Sequence, residues 1–281
     1  MKVEGWKYYN HAAVPDGLSY EKVNLKALED GSIWKMEGRI PILARWTSDF
    51  DCGYETDWWF EIKDQPFDLF ALKSKRRYNI TFGNRNFDVK IINPCDYKEE
   101  LYHVQMAAYA GYPEKYRPNI HKISFFSQID TWKDYTVFAA FTRETDELAG
   151  YACMKKVNDG FSSMETLKAN PDFERLCLNA AIIYKIMVYY EEFLKKGGII
   201  SQGERNINHE TNFPEYLERL FGFRKAYCKL NIQYNPKIAW IIKVLYPLRN
   251  ILRKFDDISI LHKVNAILKM EEICQSQEKM E

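Results

Sequence analysis

A dense polar run occupies residues 202–212, with Gln202, Glu204, Arg205, Asn206, Asn208, His209, Glu210, Thr211 and Asn212 almost in succession. It follows Ile199-Ile200-Ser201, a short apolar stretch that reads as a buried strand. In open α/β sheets, ligands bind beyond the carboxyl ends of the strands. The residue types cover what a proton-moving transfer needs. Glu204 or His209 can take a proton, Arg205 can anchor an anion, and Asn206 and Asn208 can hydrogen-bond a substrate. Tyr216, in the helix that follows, can return a proton as an acid. The competing reading is a solvated connection that caps the next helix, since loops are polar in any case.

Two further groups bear on ligands. Lys73-Ser74-Lys75-Arg76-Arg77 either meets a phosphate backbone, with Arg77 as a substrate contact, or is a solvated helix face. Trp58-Trp59 either lines a substrate cleft or fills a lobe core. Other chemistries leave no signature. His209-Glu210 lacks a second histidine at zincin spacing, and there is no P-loop, no G-x-G-x-x-G and no G-x-S-x-G. No metal site is expected.

These groups must be positioned by a chain of 281 residues, 46% hydrophobic and 28% charged, enough for a real core and near the size at which a second lobe forms. A net charge of +1 excludes a global pull towards nucleic acid or anionic membrane, leaving only local patches. The six cysteines are scattered without a C-x-x-C pair, and residues 1–17 have no apolar signal core, so reduced thiols and a cytoplasmic location are expected. The apolar stretch 176–194 is interrupted by Asn179, Lys185, Glu191 and Glu192, which marks a buried helix rather than a membrane span.

Three segments are expected: 1–94, 95–235 and 236–281. The first is irregular and Trp-rich, with a helix over 67–82 and a strand carrying Phe87, Val89 and Ile91. In the second, Asp96 and Glu99 open a helix. Strands follow at 135–141 and 148–157 about a charged turn, and at 162–169. Asn170-Pro171 then starts a helix that runs to Lys195-Lys196 and stops at Gly197-Gly198. A strand at 199–201, a helix at 213–220 and a one-sided strand at 226–234 complete a β-β-β-α-β-α-β order, hence a mixed sheet flanked by helices.

With this order, three stretches resemble the GNAT acyltransferase superfamily and, within it, the Fem-type peptidoglycan aminoacyltransferases. Leu72 to Ile80 followed by Phe87-Asp88-Val89 resembles the Fem basic helix and strand. Leu148-Ala149-Gly150-Tyr151-Ala152 resembles the central hairpin. Phe213 to Lys225 resembles the late helix with its Gly222-Phe223 turn. The resemblance implies an α/β (α+β) GNAT-like fold, with a partial GNAT-like lobe over 1–94 and an acyltransferase domain over 95–235. The implied activity is transfer of an acyl or aminoacyl group to an amine of a cell-envelope or glycan precursor; the alternative is a non-catalytic GNAT-like protein binding an acidic ligand, a partner or a membrane surface. The donor is acyl-CoA or aminoacyl-tRNA. Where CoA users carry a glycine loop for the pyrophosphate, this chain has Asn158-Asp159-Gly160-Phe161-Ser162-Ser163, and Asp172 and Glu174 begin the helix. Those acids repel phosphate, so the tRNA donor fits better. The family's acid tyrosine lies four residues before the turn glycine, a place held here by Glu218; Tyr216 stands two residues earlier.

The last segment, helical with a break at Pro247, has an apolar face of Ile238, Ile241, Ile242, Leu245, Leu252 and Phe255, with Lys243, Asn250, Arg253 and Lys254 opposite. It either docks on the body or on a second subunit, the favoured expectation, or lies on the inner membrane face.

Overall fold

The structure, a computed structural model, describes residues 3–18, 20–112, 117–207 and 211–278. In chain order it contains β1 (Trp6–Tyr9), β2 (Ala12–Pro15), α1 (Lys26–Glu29), β3 (Leu43–Ser48), β4 (Trp58–Lys63), α2 (Ser74–Asn86) and β5 (Phe87–Ile92). Next come α3 (Lys98–Ala110), α4 (Lys122–Ile129), β6 (Tyr135–Thr142), β7 (Leu148–Lys156), β8 (Phe161–Ala169), α5 (Leu178–Tyr189), α6 (Glu191–Lys195) and β9 (Ile199–Glu204). The rest is α7 (Phe213–Phe221), β10 (Arg224–Tyr234), α8 (Ala239–Leu245), α9 (Arg249–Leu252) and α10 (Ser259–Glu278). The chain divides into two interleaved units. One comprises residues 1–60, 204–211 and 225–281; the other comprises 61–203 and 212–224.

The central unit is a mixed sheet in the order β9-β8-β7-β6-β5, antiparallel except for β8 with β9. Both faces are covered. On one, α5 buries Leu178, Ala181, Ile182 and Ile186 against Phe87, Phe138, Ala149 and Ala152, with Leu217 and Phe221 of α7 joining them. On the other, Leu101, Val104, Phe125 and Ile129 of α3 and α4 pack on Val137, Ala139, Tyr151 and Cys153. Strands buried on both sides read as apolar runs, as Val137 to Phe141 do. Gly150 gives room where α5 crosses β7: a Cβ there would stand 3.0 Å from the Lys168 carbonyl oxygen and 3.1 Å from Leu178 and Ile182.

Two expected helices are redrawn. The helix over 67–82 is found at α2, because the Asp68 carboxylate accepts from the Phe70 N–H (2.8 Å) and ties that stretch into a turn. The single helix over 171–196 is three pieces. Asn170 accepts from the Asp172 N–H (3.1 Å) and caps a 3-10 turn, Pro171–Leu176. Cys177, left-handed at φ 60°, then resets the axis before α5, and Tyr190 separates α5 from α6.

The outer unit carries the β1-β2-β3-β10 part of the ten-strand order. Pairing is antiparallel for β1 with β2, parallel for β2 with β3, and antiparallel for β3 with β10 from Lys229↔Ser48 to Tyr234↔Leu43. Val3, Trp6, Ala13, Leu28, Ile33, Met36 and Ala44 form its core. In α10, Leu268 and Ile273 are buried. Gln277 accepts from the Leu230 N–H (3.1 Å), and Tyr234 donates to Glu271 (2.8 Å). The last helix is thus docked on β10.

Candidate active site

The end of β9 delivers Glu204 and Arg205 to a group of aromatic and charged side chains in the outer unit. Glu204 Oε1 is paired with Arg45 Nη2 at 2.5 Å. Arg45, on β3, lies 5.8 Å from the ring centre of Trp58, which is fully buried and donates its indole N–H to Thr47 (3.1 Å). Trp58 therefore takes the core role and supports Arg45 from below.

Trp59 points the other way along β4, half-buried. Its ring carries two cations, with the Arg205 guanidinium 4.5 Å and the Lys225 ammonium 4.7 Å from its centre, and Tyr227 meets it edge-on at 6.5 Å. Arg205 is fixed by its backbone, which donates to the Trp59 carbonyl (2.9 Å), and by Nη1, which donates to the Asp57 carbonyl (2.6 Å). The Asp57 carboxylate lies 3.6 Å from the same nitrogen. Among the described residues this group holds the cations Arg45, Arg205 and Lys225 and the carboxylates Glu204 and Asp57. Like charges on one ring repel; the indole face offsets this by about 0.5–1 kcal/mol per cation at an exposed site. The arrangement can bind an anionic group on an aromatic ledge with a carboxylate beside it. Asn206 follows, exposed. Asn208 and His209, the other expected members, lie outside the described residues.

Tyr216 and Arg77 belong to the central unit. Tyr216 is stacked on Phe213 (6.0 Å between centres) and meets Phe221 edge-on (6.1 Å). Burial pushes its phenol well above the ordinary tyrosine range, so it holds its proton firmly. Arg77 is half-buried in the first turn of α2, with Lys73, Lys75 and Arg76 exposed around it and no acid in that turn. Cations oppose the positive end of a helix dipole, at about 0.3–1 kcal/mol each.

The start of α5, where a CoA pyrophosphate would sit in the resemblance, does not fit that group. Asp172 and Glu174 precede it, and Leu178, Ala180 and Ala181 are buried. Gly83 of α2 presses on this turn so closely that a Cβ would stand 2.6 Å from the Cys177 carbonyl and 3.2 Å from the Ala181 nitrogen.

Sequence reasoning missed Arg45, Asp57 and Lys225, which carry no local signature and meet Glu204 and Arg205 only through strand register. It also missed two lysines of the central unit, Lys63, which is buried, and Lys168, which is half-buried. Lys63 donates to the Gly222 carbonyl at the end of α7 (3.3 Å), and Lys168 stands 4.3 Å from the Tyr109 ring centre. Burial holds both ammonium groups below the ordinary lysine range. Among the described residues no cluster of His, Cys, Asp or Glu could hold a metal ion.

No protein-family model matches the sequence, and neither does any curated protein. Solved structures do. A conserved protein of unknown function from Bacteroides thetaiotaomicron is similar with a TM-score of 0.52, at 13% identity over 79% of this chain and 78% of that one. The C-terminal domain of a provisionally assigned lysylphosphatidylglycerol synthetase from Agrobacterium fabrum is similar with a TM-score of 0.50, at 12% identity over 85% and 84%. FemX gives 0.47, at 12% identity over 79% and 81%. At such identities the likeness is one of fold, a mixed sheet flanked by helices.

Proposed function

We propose that the chain is an acyltransferase that moves an aminoacyl group from aminoacyl-tRNA onto an amine of a cell-envelope or glycan precursor. The observation that carries this is the ledge at the end of β9: Arg205 and Lys225 on the Trp59 ring, with Glu204 held beside them by Arg45. The closed start of α5 argues against CoA as donor, and the cations at Lys73, Lys75, Arg76 and Arg77 suit a phosphate-rich one.

In this reading the acceptor nitrogen attacks the ester carbonyl carbon of the donor. The C–N bond forms as the ester C–O bond breaks, and the departing ribose oxygen takes up the proton that the nitrogen sheds. Glu204 is the group that relays this proton, and Arg205 and Lys225 hold an anionic part of a substrate. Tyr216, engaged in packing with a strongly held proton, supports α7.

Thermal shift with aminoacyl-tRNA, acyl-CoA and nucleotide sugars tests the proposal. A ligand at 100 times its Kd stabilises by about 2.7 kcal/mol. Aminoacyl-tRNA should raise the melting temperature and acyl-CoA should not. Glu204→Gln should abolish transfer while keeping binding, and Arg205→Ala should weaken binding. A response to acyl-CoA alone would overturn the donor. The Glu204–Arg45 ion pair favours a second reading, a non-catalytic protein for an acidic ligand; under it binding occurs but no transfer product forms.

A further inference from the structure

The segment between β10 and α10 is apolar on two sides. Its inner side is used: Ile242 is buried, and Ile238, Ile241, Leu245 and Leu252 are half-buried. Its outer side is not. Trp240, Val244, Leu248, Ile251, Phe255 and Ile258 are exposed at helical spacing, from 45% for Leu248 to 63% for Trp240, and Ile260 continues the stripe at 74%. Of the nineteen large apolar side chains exposed among the described residues, these seven fall within 240–260, a concentration in one short stretch of the chain. Phe255, expected on the docked face, belongs to it.

The stretch is tied to α10 from behind. Behind it, α10 buries Leu268 and Ile273, and Asn265 donates to the Leu252 carbonyl (3.2 Å) and to Asp256 (2.8 Å). The Trp240 indole N–H donates to the Lys237 carbonyl (3.1 Å), which satisfies its polar edge and leaves the ring facing solvent.

In and beside the same stretch Lys237, Lys243, Lys254 and Lys263 are exposed, and their ammonium groups make no hydrogen bond or ion pair among the described residues. Between 236 and 269 there are seven Lys and Arg against two Asp; Arg249, Arg253 and Lys269 pair with Glu272, which leaves the four exposed lysines as the open cations of the stretch. An apolar stripe with a tryptophan, flanked by unpaired lysines, is complementary to a surface that offers hydrocarbon and negative charge together. A second copy docking by the same patch would set these lysines against their own equivalents in a two-fold contact. No helix among the described residues is long and apolar enough to cross a membrane, so the contact is peripheral.

We propose that the outer face of residues 240–260 is a docking surface for an anionic phospholipid bilayer. The side chains from Trp240 to Ile260 enter the headgroup boundary, and Lys237, Lys243, Lys254 and Lys263 face lipid phosphates. The proposal is independent of the transferase reading, because binding to vesicles needs no turnover.

The test is co-sedimentation of the full chain with phosphatidylcholine vesicles, with and without phosphatidylglycerol. Binding should require phosphatidylglycerol and weaken with salt. Lys243→Ser with Lys254→Ser should lower affinity roughly thirtyfold, about fivefold per cation. Trp240→Ser with Phe255→Ser should abolish binding while leaving the melting temperature unchanged, since both side chains are exposed. Equal binding to neutral vesicles, no binding to either, or unaltered binding by both variants would overturn it. So would sedimentation velocity showing a dimer that Trp240→Ser with Phe255→Ser dissociates, which would assign the stripe to a second copy.

Discussion

One methyl group at Gly83 sets helix propensity against packing. Alanine within a helix is intrinsically better than glycine by about 0.5–1 kcal/mol, so on propensity alone Gly83→Ala should stabilise α2. The new Cβ, however, would lie 2.6 Å from the Cys177 carbonyl oxygen, 3.2 Å from the Ala181 nitrogen and 3.3 Å from its Cβ. None of these is the free end of a flexible side chain. Carbon–oxygen contacts are ordinarily about 3.3 Å or longer, so α2 and α5 must part by about 0.7 Å. Overpacking of this kind costs about 1–3 kcal/mol, which outweighs the propensity gain. The net loss should be about 1–2 kcal/mol, a fall in melting temperature of about 2–3 °C for a chain of this size. Calorimetry on Gly83→Ala and the larger Gly83→Val measures it, and Gly83→Val should lose more. A melting temperature that holds or rises in Gly83→Ala would show that α2 and α5 are not in this contact, and the closed seat at the start of α5 would fall with it.

Removing residues 259–281 should destabilise the outer unit by about 4–9 kcal/mol, from the burial of Leu268 and Ile273 and the Leu230 N–H left without Gln277; an unchanged melting temperature would refute the docked α10. Burial raises the phenols of Tyr151, Tyr216 and Tyr234, helped at Tyr234 by Glu271. The unfolded chain releases these protons near pH 10 and the folded one does not, so stability present below pH 10 should fall above it by about 1.4 kcal/mol per pH unit for each. Tyr234→Phe should flatten that decline in alkaline melting curves, and an equal slope would count against it. Cys95 is exposed, whereas burial pushes Cys228 up to about 11 and Cys153 higher still. A thiol reagent at neutral pH should label Cys95 early and Cys153 and Cys228 only on unfolding; peptide mapping that finds label on Cys153 or Cys228 in the folded protein would refute this.

The central unit was legible because its signals are local. Val137 to Phe141 and Leu148 to Met154 are apolar runs about a charged turn, Asn170-Pro171 is a cap, and Gly222 takes the left-handed φ of 66° that a helix end before a strand requires. The start of α2 was misplaced because Asp68 diverts its own backbone, a competition that periodicity does not register. The site was half legible. The polar run lies at the carboxyl end of β9, which extends three residues past the expected Ser201 to Glu204, but Arg45, Asp57 and Lys225 reach Glu204 and Arg205 from positions far away in the chain. The patch at 240–260 was hidden for a different reason: a segment apolar on both sides gives no single face for spacing to choose, and the lysines were assigned to a wholly polar outer side.

The interleaving of the two units has a consequence for how the chain is made. Residues 61–203, all but one short segment of the central unit, leave the ribosome as one continuous piece and can begin to collapse at once. The first 60 residues cannot complete their sheet in the same way. The partner that β3 needs along Leu43 to Ser48 is Lys229 to Tyr234, and the α10 side chains that close the back of β10 come later still. Until then Leu43 and Ala44 have no long strand beside them. The unit that carries the ledge and the lipid-facing stripe is therefore the last to close, and its slow step is a pairing across most of the chain's length.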